Sequence, residues 1–136
     1  MIALQKKNYW LLLLFLSLPF TQNIAQDAKP GNAKKKSREL IGTASFYSNK
    51  FNGRKTANGE IFSQAKFTCA CNALPLGTRI RVTNLRNGKS VEVKVNDRLH
   101  PKMKRLVDLT RAAAQKLGFI SSGVTRVKAE VIGKKS

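Results

Sequence analysis

Negative charge is scarce in this sequence. Seven Asp and Glu stand against 26 Lys and Arg in 136 residues, a net charge of +19 with the single histidine neutral. Cysteine is scarcer still, with Cys69 and Cys71 alone, so with one histidine, His100, to join them a Cys/His metal set is poorly supported. No metal and no cofactor is expected. Long apolar runs are confined to one stretch, Tyr9 to Phe20, whose 12 residues fall short of the ~20 that a bilayer span needs.

That run, YWLLLLFLSLPF, follows Lys6 and Lys7 and precedes Asn23-Ile24-Ala25, the order of a secretory signal with a small residue before the cut. Residues 1–25 are therefore read as a cleaved signal peptide, with an uncleaved N-terminal anchor as the alternative. No cysteine lies near the cut, which argues against a lipidated N-terminus. Removing residues 1–25 takes away Lys6 and Lys7 and no acid, leaving 111 residues at +17. A chain of that length makes one domain with one core. A periplasmic or secreted protein so basic along its whole length is expected to meet anionic wall polymers or lipid head groups at their surface rather than nucleic acid.

Residues 26–39 carry Pro30, Gly31 and a lysine run without apolar periodicity, and read as a disordered basic linker. The domain spans 40–133. IGTASFYS (41–48) leans towards strand, and TCACN opens another at Thr68. RIRVTNL (79–85) and SVEVKVND (90–97) alternate with Ile80, Val82, Val91, Val93 and Val95 inward, joined as a hairpin through Asn87-Gly88. Thr110 as N-cap, RAAAQKL and Gly118 predict one short helix, and VTRVKAEVI (124–132) closes as a strand. About six short strands and one helix point to a small, mainly β barrel.

Export implies an oxidising compartment, where two cysteines suggest a disulfide. Residues i and i+2 of a strand lie ~6.5–7 Å apart at Cα, beyond the usual disulfide spacing, so two thiols on one strand face are expected, with a strained bridge as the alternative. Glu60 follows Asn58-Gly59, a strong turn signal, so its carboxylate is either aimed or solvent-facing. Asp97 continues the inward phase of the β-strand valines and needs a partner there, for which Arg98 or Arg105 is available. Asp108 lies two residues before Thr110, where backbone bonding near the helix start competes with a groove role. Glu92 and Glu130 alternate outward as surface charges.

GTASFYS (42–48), FNGRKTANGEIF (51–62), LPLGTRIRVTNLRNGKSVEVKVNDR (74–98) and LVDLTRAAAQKLG (106–118) together resemble the RlpA-like family. The resemblance implies a six-stranded double-psi β-barrel and a lytic transglycosylase that cuts peptidoglycan glycan strands, some members preferring strands stripped of stem peptides. It carries the catalytic acid onto Glu60, the second essential carboxylate onto Asp97, and another groove acid onto Asp108. Tyr47, Asn58 and Asn96 fall where substrate would bind. The family's histidine falls on Cys71, a departure that a thiol, as a weak donor, fills poorly. His100, just past Asp97, is a further candidate for the groove, with an exposed loop position as the bland reading, and Arg98 is another, with structural pairing to Asp97 as its bland reading. Phe46, Tyr47 and Phe51 offer sugar-stacking rings. The expectation is a monomeric enzyme acting on glycan strands, the alternative a non-catalytic, expansin-like glycan-binding barrel.

Overall fold

The structure, a computed structural model, describes residues 37–134. The expected signal peptide and linker residues 26–36 lie outside the described residues. Six strands form among those described: β1 (Glu39–Phe46), β2 (Thr68–Ala70), β3 (Thr78–Asn84), β4 (Ser90–Asp97), β5 (Val107–Leu109) and β6 (Thr125–Lys134). A helix, α1, covers Arg111–Leu117, and a 3-10 turn covers Asn49–Phe51. The strands close into a barrel in the order β1-β5-β2-β4-β3-β6.

One wall is regular. The expected hairpin joins β3 and β4 antiparallel, with Ile80 opposite Val93 and Val82 opposite Val91, and β6 adds Ala129 opposite Val82. Alternation sends these five side chains, with Val95 and Val127, into the core, none more than 4% exposed. The turn between the two strands closes on the Gly88 N–H to Asn84 carbonyl bond of 2.8 Å, with Gly88 at φ 75°.

The other wall is built by crossing. β1 runs parallel to β5 and β2 parallel to β4, while β2 and β5 are antiparallel. The crossing is made by residues 47–67, which carry the chain from β1 past β5 to β2, and by residues 98–106, which carry it from β4 past β2 to β5. The second is drawn close to β1, where the Leu106 N–H reaches the Thr43 carbonyl at 2.9 Å. Gly42 permits that approach, since a Cβ there would stand 2.7 Å from Leu106 Cβ.

Helix α1 buries Ala113, Ala114 and Leu117 and ends on Gly118 in the left-handed conformation at φ 75°. Its start corrects the expectation. Thr110 occupies the N-cap position but makes no side-chain cap bond; its hydroxyl donates to the Lys66 carbonyl instead. The free helix N–H groups go to Gln64: Arg111 N–H to Oε1 at 2.7 Å and Ala112 N–H to the Gln64 carbonyl at 3.0 Å. Cys69 and Cys71 are both unbonded thiols, fully buried in the core.

Candidate active site

A cleft of about 710 Å³ opens beside the crossed wall, lined by the segments after β1 and β4 together with Ala70 and Asp108 from the short strands. Ala70 pairs with Asp97 of β4 on one side and Asp108 of β5 on the other, and Asp108 pairs onward with Ser45 of β1. The two carboxylates thus flank one small side chain, with Cα positions two strand spacings apart, roughly 10 Å. Ala70 leaves the floor between them open.

Asp97 does not follow the valines into the core. Between the pairs Cys69–Val95 and Ala70–Asp97 the register shifts by one residue, so Asn96 takes the buried place at 2% exposure and Asp97 turns half-exposed to the cleft. A bulge that re-aims a side chain in this way is common beside active sites. The Tyr47 hydroxyl donates to Asp97 Oδ2 at 2.7 Å, and the Ala57 and Arg98 N–H groups donate to Oδ1, each at 2.9 Å. Neither arginine side chain partners it. The Arg98 guanidinium donates to the carbonyls of Cys71 and Leu74, and Arg105 grips Asp108 through two bonds of 2.8 and 2.9 Å. That pair decides the competition at Asp108, which is held by a side chain at the cleft wall rather than capping the helix.

Tyr47 stacks against Phe51 and Phe62, with ring centres 5.7 and 4.3 Å away. Burial first, and the bond to Asp97 second, push its hydroxyl pKa well above the ordinary value. It therefore remains a donor throughout the working pH range.

Glu60 stands apart from the cleft lining. The turn works as its sequence predicts: Gly59 adopts φ 89°, and the Gly59 N–H bonds the Thr56 carbonyl at 3.0 Å. The carboxylate it presents accepts from Lys94 Nζ and from Asn58 Nδ2 at 2.6 Å, with Asn96 Nδ2 at 3.5 Å. The bond from Lys94 leads in lowering the Glu60 pKa; burial opposes it, and Asn58 and Asn96 add to it. The basic field wins, and Glu60 is a carboxylate at neutral pH. Its turn nonetheless serves the cleft, because the Ala57 N–H on Asp97 belongs to it, and the Asn58 N–H anchors it to the Asn96 carbonyl at 3.1 Å.

The remaining candidates divide. His100 and Arg98 line the cleft, and His100 Nδ1 accepts the Lys102 N–H at 3.2 Å. Tyr47 lines it as expected. Asn96 is buried and Asn58 braces Glu60, so neither presents its amide to the cleft. Cys71 is fully buried, behind the wall; only its N–H reaches the site, donating to the Asp97 carbonyl at 3.1 Å. Burial raises the Cys69 thiol pKa well above its ordinary value, so that side chain is no nucleophile. No group of three His, Cys, Asp or Glu side chains able to hold a metal occurs among the described residues.

Two contributors escape sequence reasoning. Gln64, 9% exposed, ties the Tyr47 carbonyl (2.7 Å) and Asn49 Oδ1 (3.2 Å) to the helix start, and its N–H meets Asn52 Oδ1 at 2.9 Å. Lys94 reads as one more surface lysine of an alternating strand. Only the tertiary pairing gives either a role.

A closed barrel of crossed parallel strands, with carboxylates on either side of a small residue in an aromatic-edged cleft, defines the class of small double-psi β-barrels. The chain belongs to the lytic transglycolase family of double-psi β-barrels, whose description matches residues 40–129. It is 50% identical over 91 residues to the endolytic peptidoglycan transglycosylase RlpA of Pasteurella multocida, covering 67% of this chain and 31% of that protein. With the protein of that name from Pseudomonas aeruginosa (strain UCBPP-PA14) it shares 52% over 93 residues, covering 68% and 27%. The chain thus spans about a third or less of the length of these relatives. Among solved structures it is similar to the apo expansin of Clavibacter michiganensis, at TM-score 0.58 and 21% identity over 73% of this chain and 52% of that one. It is also similar to the Streptomyces papain inhibitor, at 0.56 and 22% over 69% and 94%. At these identities the likeness shows the fold.

Proposed function

We propose that the protein is an exported, monomeric lytic transglycosylase that cleaves peptidoglycan glycan strands to anhydro-muramyl ends, in cell-wall remodelling or daughter-cell separation. The names of its half-identical relatives support this reading, as does the export pattern of residues 1–25. The observation that carries it is Asp97: a carboxyl group in the cleft, held by three donors and, among the described residues, engaged by no cation. Such a group is placed to meet substrate.

Cleavage of a glycosidic bond needs a proton on the leaving oxygen and stabilisation of an oxocarbenium-like centre. In its acid form Asp97 donates that proton as the bond to the leaving oxygen breaks. The resulting carboxylate stabilises the positive centre, then takes the proton of the sugar's 6-hydroxyl as that oxygen bonds the anomeric carbon. The carboxyl returns to its starting form and no water is consumed. Tyr47 orients Asp97. The roles expected of the two essential carboxylates are thereby exchanged: Asp97 does the proton transfer, and Glu60, locked to Lys94, braces the turn that delivers the Ala57 N–H.

The test is the identity of the product ends. Peptide-free strands and intact sacculi are incubated with the protein, and the ends identified by mass spectrometry. Anhydro ends support the reading, whereas reducing ends mean hydrolysis. Binding without products makes the protein a glycan-binding barrel, the second reading, which the burial of Cys71 at the family's histidine position favours.

A further inference from the structure

The cleft holds more positive charge than its two carboxylates use. Of its lining cations, Arg105 is engaged by Asp108 and Arg98 by two backbone carbonyls. Lys50, Arg54 and Lys55 also line it, are exposed, and make no ion pair among the described residues. Unpaired cations are ordinary in so basic a chain. These three differ from the other unpaired cations in lining the cleft.

Two of them stand on one aromatic ring: Lys50 Nζ lies 5.3 Å and the Arg54 guanidinium carbon 5.6 Å from the Phe51 ring centre. The ring itself is fixed. Phe51 belongs to the 3-10 turn and meets Tyr47 edge-on, and Gln64 fastens the turn at Asn49 and its flank at Asn52. Backbone bonds of 2.7 and 3.0 Å, Phe62 N–H to the Arg54 carbonyl and Gly53 N–H to the Phe62 carbonyl, secure the exit. Lys50 and Arg54 are thus held ready on a rigid support at the cleft edge, beside Lys55, where ordering them for a ligand costs little. On the opposite wall, by contrast, Arg79 and Arg81 share Glu92, and Lys128 meets Glu130.

We propose that Lys50, Arg54 and Lys55 form a carboxylate-reading wall, which makes the cleft selective for glycan that carries free carboxylates over neutral glycan of the same backbone. The inference rests on the reading that glycan occupies the cleft. Charge-assisted bonds from a lysine and a planar guanidinium fit a carboxylate beside a sugar ring lying along the aromatic edge. That carboxylate has two sources, the lactyl group of a peptide-free muramic acid or the attached stem peptide.

The test measures binding of the full-length protein to three probes: peptide-free strands, strands bearing stem peptides, and an N-acetylglucosamine oligomer of matched length, which has no carboxylate. Two triple variants lose equal charge, Lys50→Gln/Arg54→Gln/Lys55→Gln at the cleft and Lys66→Gln/Arg86→Gln/Arg126→Gln outside it. The wild-type protein is expected to favour a carboxylated probe over the neutral oligomer by about ten- to hundredfold at low salt. The cleft variant loses most of that preference and the outer variant keeps it. Tighter binding of the peptide-free strands assigns the carboxylate to the lactyl group, and tighter binding of the peptide-bearing strands assigns it to the peptide. Equal binding of all three probes, or equal loss in both variants, overturns the wall while leaving a glycan cleft in place. No binding to any probe overturns the glycan reading and the wall with it.

Discussion

The two walls of this barrel are paired differently and do different work. In the β3-β4-β6 wall, neighbours are antiparallel and side chains alternate between valine-rich core and paired surface charge. In the β1-β5-β2 wall, two strands of three residues are hemmed in by parallel partners, and a bulge, a buried glutamine and a tyrosine hydroxyl replace regular alternation. The regular wall holds the molecule together by burial, which is insensitive to the direction of any one polar group. The crossed wall aims polar groups into a cleft. On the proposed reading, irregularity here is where the chemistry sits.

That division is open to breaking from either side. Ile80→Ala, in the regular wall, removes a fully buried side chain and is expected to cost about 2–5 kcal/mol of stability. Chemical denaturation measures it, and the rate per folded molecule stays unchanged. Gln64→Ala strips partners from the helix start and from Tyr47 together. It is expected to cost about 1–3 kcal/mol and, unlike Ile80→Ala, to slow cleavage in the protein that remains folded. Tyr47→Phe keeps the ring stack and loses the donor to Asp97. Stability changes by about 0.5–1.5 kcal/mol while kcat falls roughly tenfold with KM little altered. Arg81→Ala, at an exposed pair with Glu92, costs at most about 1 kcal/mol and leaves activity intact.

Acid sharpens the comparison further. The Glu60 pKa is depressed below its ordinary 4.5, so its contribution is fully present above that value and is lost as pH falls through the folded pKa. Melting temperatures recorded below pH 4.5 are expected to drop more steeply in the wild type than in Glu60→Gln, which has no such group to protonate.

What the sequence makes legible follows the same line. The hairpin, the inward valines, Gly118 and the closing strand come from period-two alternation and glycine geometry, local signals that the regular wall obeys. β5 shows no such signal, because a strand of three residues has no room for a period. Asp97 shows how the site misleads: extrapolating Val91, Val93 and Val95 sends it into the core, and a one-residue bulge set by pairing with β2 turns it out. Thr110 has the right identity for a cap, yet Gln64, 46 positions earlier, makes the bonds. The departure at Cys71 was visible, but its consequence was not, since burial behind Ala70 is a property of the barrel.

The most direct measurement sets Asp97→Asn beside Glu60→Gln. Initial rates of anhydro-end formation on peptide-free strands are compared, with glycan binding and melting temperature recorded for each variant. The account predicts a loss of about a thousandfold for Asp97→Asn, with binding retained, and a loss within about tenfold for Glu60→Gln. Abolished cleavage in Glu60→Gln with a near-normal rate in Asp97→Asn would place the proton transfer on Glu60 and contradict the division of labour drawn here.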